Sequence, residues 1–244
     1  MGDWRREVQE DRVTGGHPAG AASMPSDLEA LLAHARALIG VELGELADQL
    51  GLPVPGTAAG PERTKGWAGQ IIEHELGVET NGASGPDFAA LGIELKTVPV
   101  DSELKPREST AVCQIDPIAI AGESWETSTA RRKLDRVLFI ALEAPPGARS
   151  VAERRVAAVR LWSPSPGQDL LMRADFDLFV RDFFRRGRAD AITGHLGQVL
   201  QVRPKGRNAA DARDGYDEAG LPARVGKCGF YLRPAFVASI LRGV

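Results

Sequence analysis

Pro86-Asp87-Phe88-Ala89-Ala90-Leu91-Gly92-Ile93-Glu94-Leu95-Lys96 is the stretch on which the reading of this chain turns. In a β-strand successive side chains point to opposite faces, so Glu94 and Lys96 share one face and Ile93, Leu95 and Thr97 the other. The apolar face can anchor the strand in a core. The polar face then holds a carboxylate and an ammonium side by side, which adds nothing to hydrophobic burial. Asp87 stands one short Ala/Leu/Gly turn before the strand, so a loop can return its carboxylate to the side of Glu94. Two oxygen ligands suit Mg²⁺, a hard cation that keeps several waters and takes its remaining oxygens from a phosphate. Lys96 adds a point charge for an attacking water or for the phosphate. A lone Glu-x-Lys fits a solvated, salt-bridged strand edge equally well, so the rest of the chain has to decide.

Composition narrows the field. The 244 residues are 43% hydrophobic, enough for a proper interior, as one large domain or as two lobes. No apolar run approaches the length of a bilayer, and Met1-Gly-Asp-Trp-Arg-Arg-Glu lacks the apolar stretch of a secretory signal, so a cytoplasmic protein is expected. Cys113 and Cys228 stand far apart without CxxC or Cys/His spacing, so neither a disulfide framework nor a zinc site is indicated. The net charge of −3 argues against a generally positive surface. Any grip on nucleic acid must be a local basic cleft.

Residues 1–24 mix charge, Gly, Ala and Pro without periodicity and read as a flexible leader. Residues 25–80 read as a helical lobe. Ser26-Asp27 can cap a helix with Leu28, Leu31, Leu32, Ala35 and Leu38 at helical spacing, a second helix follows around 43–50, and a third runs from Thr64 to Leu76 and stops at Gly77. Strands dominate residues 85–244, at 93–98, 109–115, 137–142 and 156–162, the third a continuous apolar run suited to a strand covered on both faces. A turn and helix are expected over 125–136, and a long amphipathic helix over 169–186 with Leu170, Leu171, Phe176, Phe179, Phe183 and Phe184 for packing. Strands over 196–202 and 230–232 flank a Gly/Ala/Asp/Arg loop, and a helix over 234–241 closes the chain.

Several residues take a bland reading from periodicity alone. Glu73 lies opposite Trp67, Ala68, Ile71, Ile72 and Leu76 on a helical wheel, which places it on a solvated face or a face turned into a cleft. His74 and Glu75 point apart and make no metal pair, and His17, His34 and His195 have no partner in sequence. Lys133 sits in an Arg/Lys cluster that fits a solubilising surface. The span 203–233 carries seven Arg/Lys against four acids, a local excess that suits insertion into a DNA groove. Tyr231 alternates with Phe230 and Leu232, so one of the three faces away from the core.

The pattern Pro-Asp, six residues, Glu-x-Lys is shared with the restriction-endonuclease-like nucleases. The longer string from Asp87 to Asp101 resembles the MutH family of strand-nicking mismatch repair endonucleases. So do Lys65-Gly-Trp67, Glu73-x-x-Leu-Gly77, Trp125-Glu-Thr-Ser128, Lys133-Leu, Arg136-Val, Leu161-Trp-Ser-Pro164, Leu200-Gln-Val-Arg-Pro-Lys205 and Gly229-Phe-Tyr-Leu232. The resemblance implies an α/β restriction-endonuclease-like fold, with a central mixed β-sheet flanked by helices and two lobes around a DNA cleft. It implies Mg²⁺-dependent nicking of the unmethylated strand of duplex DNA at GATC. Asp87, Glu94 and Glu73 are then the metal ligands, Lys96 and Lys133 catalytic lysines, and Arg203, Pro204, Lys205 and Tyr231 the residues that read the site, Tyr231 lying against the adenine whose N6 carries or lacks a methyl group. The partners it implies are a MutL-type ATPase activator and, indirectly, a MutS-type mismatch sensor. A GATC-type type II restriction endonuclease that cuts both strands in host defence is the alternative. A catalytically silent DNA-binding module is disfavoured by the intact Asp87, Glu94 and Lys96.

Overall fold

The computed structural model describes residues 27–56, 61–78, 85–205 and 211–244, and of 61–65 the backbone only. The expected leader, His17 and Arg207 lie outside these residues. Three helices come first: α1 (Leu28–Ala37), α2 (Leu43–Leu50) and α3 (Pro61–Glu75). Asp27 caps α1, its Oδ1 accepting from the Ala30 N–H at 2.7 Å. Helix α3 begins three residues before the expected Thr64, with Pro61 in the first helical position that proline tolerates. Gly77 follows α3 at φ +73°, as expected of a residue that ends a helix in the left-handed conformation.

The central mixed sheet has the order β1–β3–β4, formed by β1 (Glu94–Val100), β3 (Val137–Glu143) and β4 (Arg155–Trp162). Strand β1 pairs with β3 in parallel, and β3 with β4 antiparallel. The apolar run of β3 is buried on both faces. Val137, Phe139 and Ala141 enter one apolar cluster and Leu138, Ile140 and Leu142 another. Helices α1–α3 cover the second cluster, with Leu31, Leu46, Trp67 and Ile71 against Ile93, Leu95 and Val156.

The first cluster joins the sheet to α5 (Pro166–Asp182), α6 (Pro234–Arg242) and an antiparallel sheet of order β2–β8–β5, from β2 (Thr110–Gln114), β8 (Cys228–Leu232) and β5 (Leu200–Pro204). Phe176 and Phe179 of α5 stack against Phe230 with ring centroids 5.5 and 6.2 Å apart. Both cysteines are free, and burial pushes each thiol up to about 11.

Three segments depart from the expectations above. Helix α5 starts at Pro166 because Ser165 and Gln168 form a reciprocal capping box around a proline at the first turn. Its Leu170 and Leu171 are exposed, at 63% and 39%, so Phe176, Phe179 and Phe184 carry the packing. Strand β5 starts at Leu200 rather than at 196. Gly197 adopts φ +81°, where an added Cβ would lie 1.9 Å from the Leu200 carbonyl oxygen, so 196–199 is a turn. The loop expected after β5 holds a hairpin of β6 (Ala212–Tyr216) and β7 (Pro222–Gly226). Its strands lack apolar alternation, and its turn is fixed locally by Asp217 Oδ1, which accepts from Ala219 and Leu221 N–H groups.

Asp175 ties α5 to β5. It is 3% exposed, and its carboxylate accepts from the Gln198, Val199 and Leu200 N–H groups, each at 2.8 Å. Asp175→Ala strands three donors in the interior, so urea unfolding should show a loss of about 3 kcal/mol, with Asp175→Asn in between. A wild-type midpoint in Asp175→Ala would contradict this account.

Candidate active site

The turn before β1 is short and closed. Phe88 is fully buried and exchanges backbone hydrogen bonds with Ile93, and Gly92 takes φ +63° between them. The turn brings Asp87 back along the strand, where its Oδ2 accepts from the Leu95 N–H at 2.7 Å. Asp101, later in the same string, is structural: its Oδ1 accepts from Glu103 and Lys105 N–H groups in the turn that follows β1.

Glu94 is 2% exposed. Its Oε1 accepts from Lys96 Nζ at 2.6 Å and from Lys133 Nζ at 2.9 Å. Lys133 comes from α4 (Thr129–Leu134), whose start is fixed by the buried Ser128. That hydroxyl donates to the Trp125 carbonyl and accepts from the Arg131 N–H. The cationic run around Lys133 is therefore not one surface. Lys133 turns inward, Arg131 pairs with Asp169 at 3.5 Å, and Arg132 donates to the Thr127 carbonyl.

Glu73 is half-buried on α3 and lines the same cleft as Lys96, so the polar side of that helix faces a cleft and not open solvent. Gly69, one turn earlier, lies near enough to β1 that a Cβ there would be 3.7 Å from Thr97 Oγ1 and 3.8 Å from Glu73 Oε1. Burial raises the Glu73 carboxyl above the ordinary glutamate range, the negative charge of Asp87 raises it further, and Lys96 opposes both. Burial likewise raises Asp87, while the Leu95 N–H pulls it down and Glu94 pushes it up again. Of the neighbours of Glu73, His74 is exposed, and Glu75 is buried and bonded to His34 Nε2 at 2.9 Å, a pairing between α3 and α1 that sequence distance concealed.

Two observations bear on a metal. Among the described residues no group of three or more His, Cys, Asp and Glu side chains forms a metal-holding cluster. Yet Glu94 Oε2 is buried without a hydrogen-bond partner, because both lysines converge on Oε1. A buried carboxylate oxygen left bare is costly unless a cation meets it. Mg²⁺ needs only one or two carboxylates beside water and phosphate oxygens, so Glu94 with Asp87 fits the ion without a three-residue cage.

A cleft of about 670 Å³ joins Glu73, Lys96 and Thr97 to Arg203, Pro204, Lys205 and Tyr231. Lys96 in this lining is the residue whose Nζ bonds Glu94. Within β8, Phe230 and Leu232 enter the core and Tyr231 faces the cleft. Burial raises the Tyr231 hydroxyl, and the positive charge of Arg203 opposes that shift. Gly229 belongs to the same face, where a Cβ would meet the Tyr231 ring at 3.5 Å and the Cys113 carbonyl oxygen at 2.7 Å. Of the basic residues in 203–233, Arg233 is engaged with the carbonyls of Gly194, Leu196 and Gly197, Arg224 with Asp214, and Lys227 with Asp211. Arg203 and Lys205 remain at the cleft.

The cleft also contains Glu108, Ser109 and Arg154, which the sequence reading did not single out. Alternation along β2 carries a signal for Ser109, which shares the outward side with Ala111 while Thr110 and Val112 are buried. Arg154 had no such signal, since it ends a one-turn helix just before β4.

Residues 76–175 match the family described as DNA mismatch repair enzyme MutH. Along nearly its whole length the chain is similar to proteins named DNA mismatch repair protein MutH. It is 40% identical to that of Shewanella amazonensis over 89% of this chain and 95% of the relative. It is 41% identical to that of Haemophilus ducreyi over 89% and 94%, and 40% identical to that of Klebsiella pneumoniae over 90% and 93%. With Glu94 bonded to Lys96 and Lys133, Asp87 bonded to the same strand, and identity at this level across nine-tenths of the sequence, the chain belongs to the MutH family of DNA mismatch repair endonucleases.

Proposed function

We propose that this DNA endonuclease is Mg²⁺-dependent and nicks the unmethylated strand of duplex DNA at GATC. The observation that carries the reading is the state of Glu94, a buried carboxylate with Oε1 held by two lysines and Oε2 left for a cation. Asp87 and Glu94, with Glu73 alongside, would hold the ion. When bound, Mg²⁺ neutralises a non-bridging phosphate oxygen and acidifies a water. An ammonium has three donors, so Lys96 keeps two after bonding Glu94 and presents them to the cleft, where they orient the attacking water and offset developing charge. Lys133 holds Glu94 from the opposite element and keeps Oε1 saturated.

In this reading the helices ending at Gly77 and the sheet β2–β8–β5 form the two sides of the DNA cleft, and Arg203, Lys205 and Tyr231 read the site. Support comes from their place in the same cleft as Lys96 and Glu73. An arginine can meet the guanine O6/N7 edge with two donors, and a tyrosine ring packed on an adenine meets a clash when N6 is methylated. A MutL-type ATPase is the proposed activator and a MutS-type sensor its upstream partner, both on the strength of the family.

Asp87→Ala, Glu94→Ala and Lys96→Ala should each lose cleavage of supercoiled GATC plasmid by several orders of magnitude, while gel shifts in Ca²⁺ keep near-normal affinity for the same DNA. Nicked circles, and not linear DNA, are the product expected with Mg²⁺. Normal nicking by Glu94→Ala would sink the metal assignment, and linear product at the earliest times would favour a double-strand cutter.

Tyr231→Ser should cut unmethylated and hemimethylated GATC duplexes at more nearly equal rates per strand than wild type, which should spare the methylated strand. Equal cutting of unmethylated, hemimethylated and fully methylated duplexes by wild type would remove methyl sensing from the assignment.

A further inference from the structure

The outward face of the β2–β8–β5 sheet is built around one hydroxyl. Ser109 stands immediately before β2, and Gln201 and Arg203 lie on β5, two strands away across β8. Gln201, 4% exposed, donates from Nε2 to Ser109 Oγ at 2.5 Å, and Arg203 donates from Nη1 to the same oxygen at 3.0 Å. A serine hydroxyl has two acceptor lone pairs, and both are used. The register puts Ala111, Tyr231 and Gln201 opposite one another, with Gly229 beside Tyr231.

We propose that Ser109 is a specificity-determining positioning residue, which holds the Arg203 guanidinium at Nη1 so that its Nε and Nη2 donors present one fixed edge to a guanine in the major groove. The inference rests on the reading of Arg203 given above. An exposed arginine has many side-chain rotamers, and part of that conformational entropy is lost when it docks on a base. Anchoring one nitrogen beforehand removes part of that loss from the binding step, and it rewards only the base whose acceptors match the fixed edge. Among the described residues Arg203 makes no other side-chain hydrogen bond or ion pair, so the Ser109 bond is the directional contact that holds it there. Pro204 stiffens the backbone directly after it. The buried Gln201 amide in turn keeps the Ser109 oxygen in place.

The test is equilibrium binding in Ca²⁺ of short duplexes carrying GATC or a substitution of its guanine, by wild type, Ser109→Ala, Ser109→Thr, Arg203→Ala and the Ser109→Ala/Arg203→Ala pair. Ser109→Ala should shrink the preference for GATC over the guanine variants about five- to tenfold, with affinity for the variants nearly unchanged. Ser109→Thr, which keeps the oxygen, should restore the preference. In the Arg203→Ala background the serine change should have no further effect. A uniform loss for all sequences, no rescue by Thr, or the same loss with Arg203 absent would overturn the proposal. If Ser109→Ala melts early, Ser109→Cys keeps the volume with a much weaker acceptor and should show the same lost preference. A wild type that prefers another site moves the recognition sequence but leaves the serine test to be run at that site. A wild type without guanine preference refutes both.

Discussion

A carboxylate with 2% of its surface exposed is the constraint around which the active-site wall is arranged. Burying Glu94 as an anion is costly without partners, and removing one partner of a buried pair typically costs about 3–5 kcal/mol. Here two ammonium groups from separate elements meet at a single oxygen. That convergence depends on the sheet register. Glu94 pairs with Val137, its N–H bonds the Arg136 carbonyl, and Lys133 stands four residues before Val137, at the end of α4. A slip of one residue in β1 would turn Glu94 and Lys96 to the other face and bring Leu95 to the lysine. The buried apolar run of β3 forbids that slip, since both of its faces are committed to cores.

The second wall is built by different physics. Where the Glu94 side joins a buried carboxylate to two lysines, the β2–β8–β5 face is tied by single hydrogen bonds to a serine hydroxyl and to backbone N–H groups. Gln201 and Ser109 carry no charge, and the position of β5 is set by backbone N–H groups held on Asp175. Against a chain of net charge −3, the cleft gathers Lys96, Arg154, Arg203 and Lys205 with only Glu73 and Glu108 in opposition. Burial lowers the Arg154 guanidinium from its ordinary range while Glu108 opposes that shift.

Much of this was legible in the sequence because it depends on short-range rules. Alternation placed Glu94 and Lys96 on one face, the apolar run identified β3 as a strand covered on both sides, and Gly77 ended α3 where a left-handed residue was expected. Tyr231 emerged as the outward member of its trio. What stayed hidden depends on contacts far apart in the chain or on polar strands. The His34–Glu75 pair spans 41 residues, and the Ser109–Arg203 bond spans 94. The β6–β7 hairpin has no apolar stripe to announce it. The capping box at Ser165 was readable by the usual rule, but the wheel of apolar residues further along α5 drew the boundary three residues late. Glu73 shows the limit most clearly, since a helix's polar side looks the same in sequence whether it meets water or a cleft.

The contrast between the two walls also bears on how the enzyme can separate holding DNA from cutting it. Lys96 is bonded to Glu94 and lines the cleft, whereas among the described residues Arg203 and Ser109 are bonded to each other and make no hydrogen bond or ion pair with Asp87, Glu94 or Lys133. Interactions without shared partners are nearly additive in free energy. Under the proposed function, recognition on the β2–β8–β5 face is therefore energetically separable from changes at Glu94. Under the proposed function, the Glu94 oxygen left without a hydrogen-bond partner would then meet DNA placed by the β2–β8–β5 face, apart from the two lysines that hold the other oxygen.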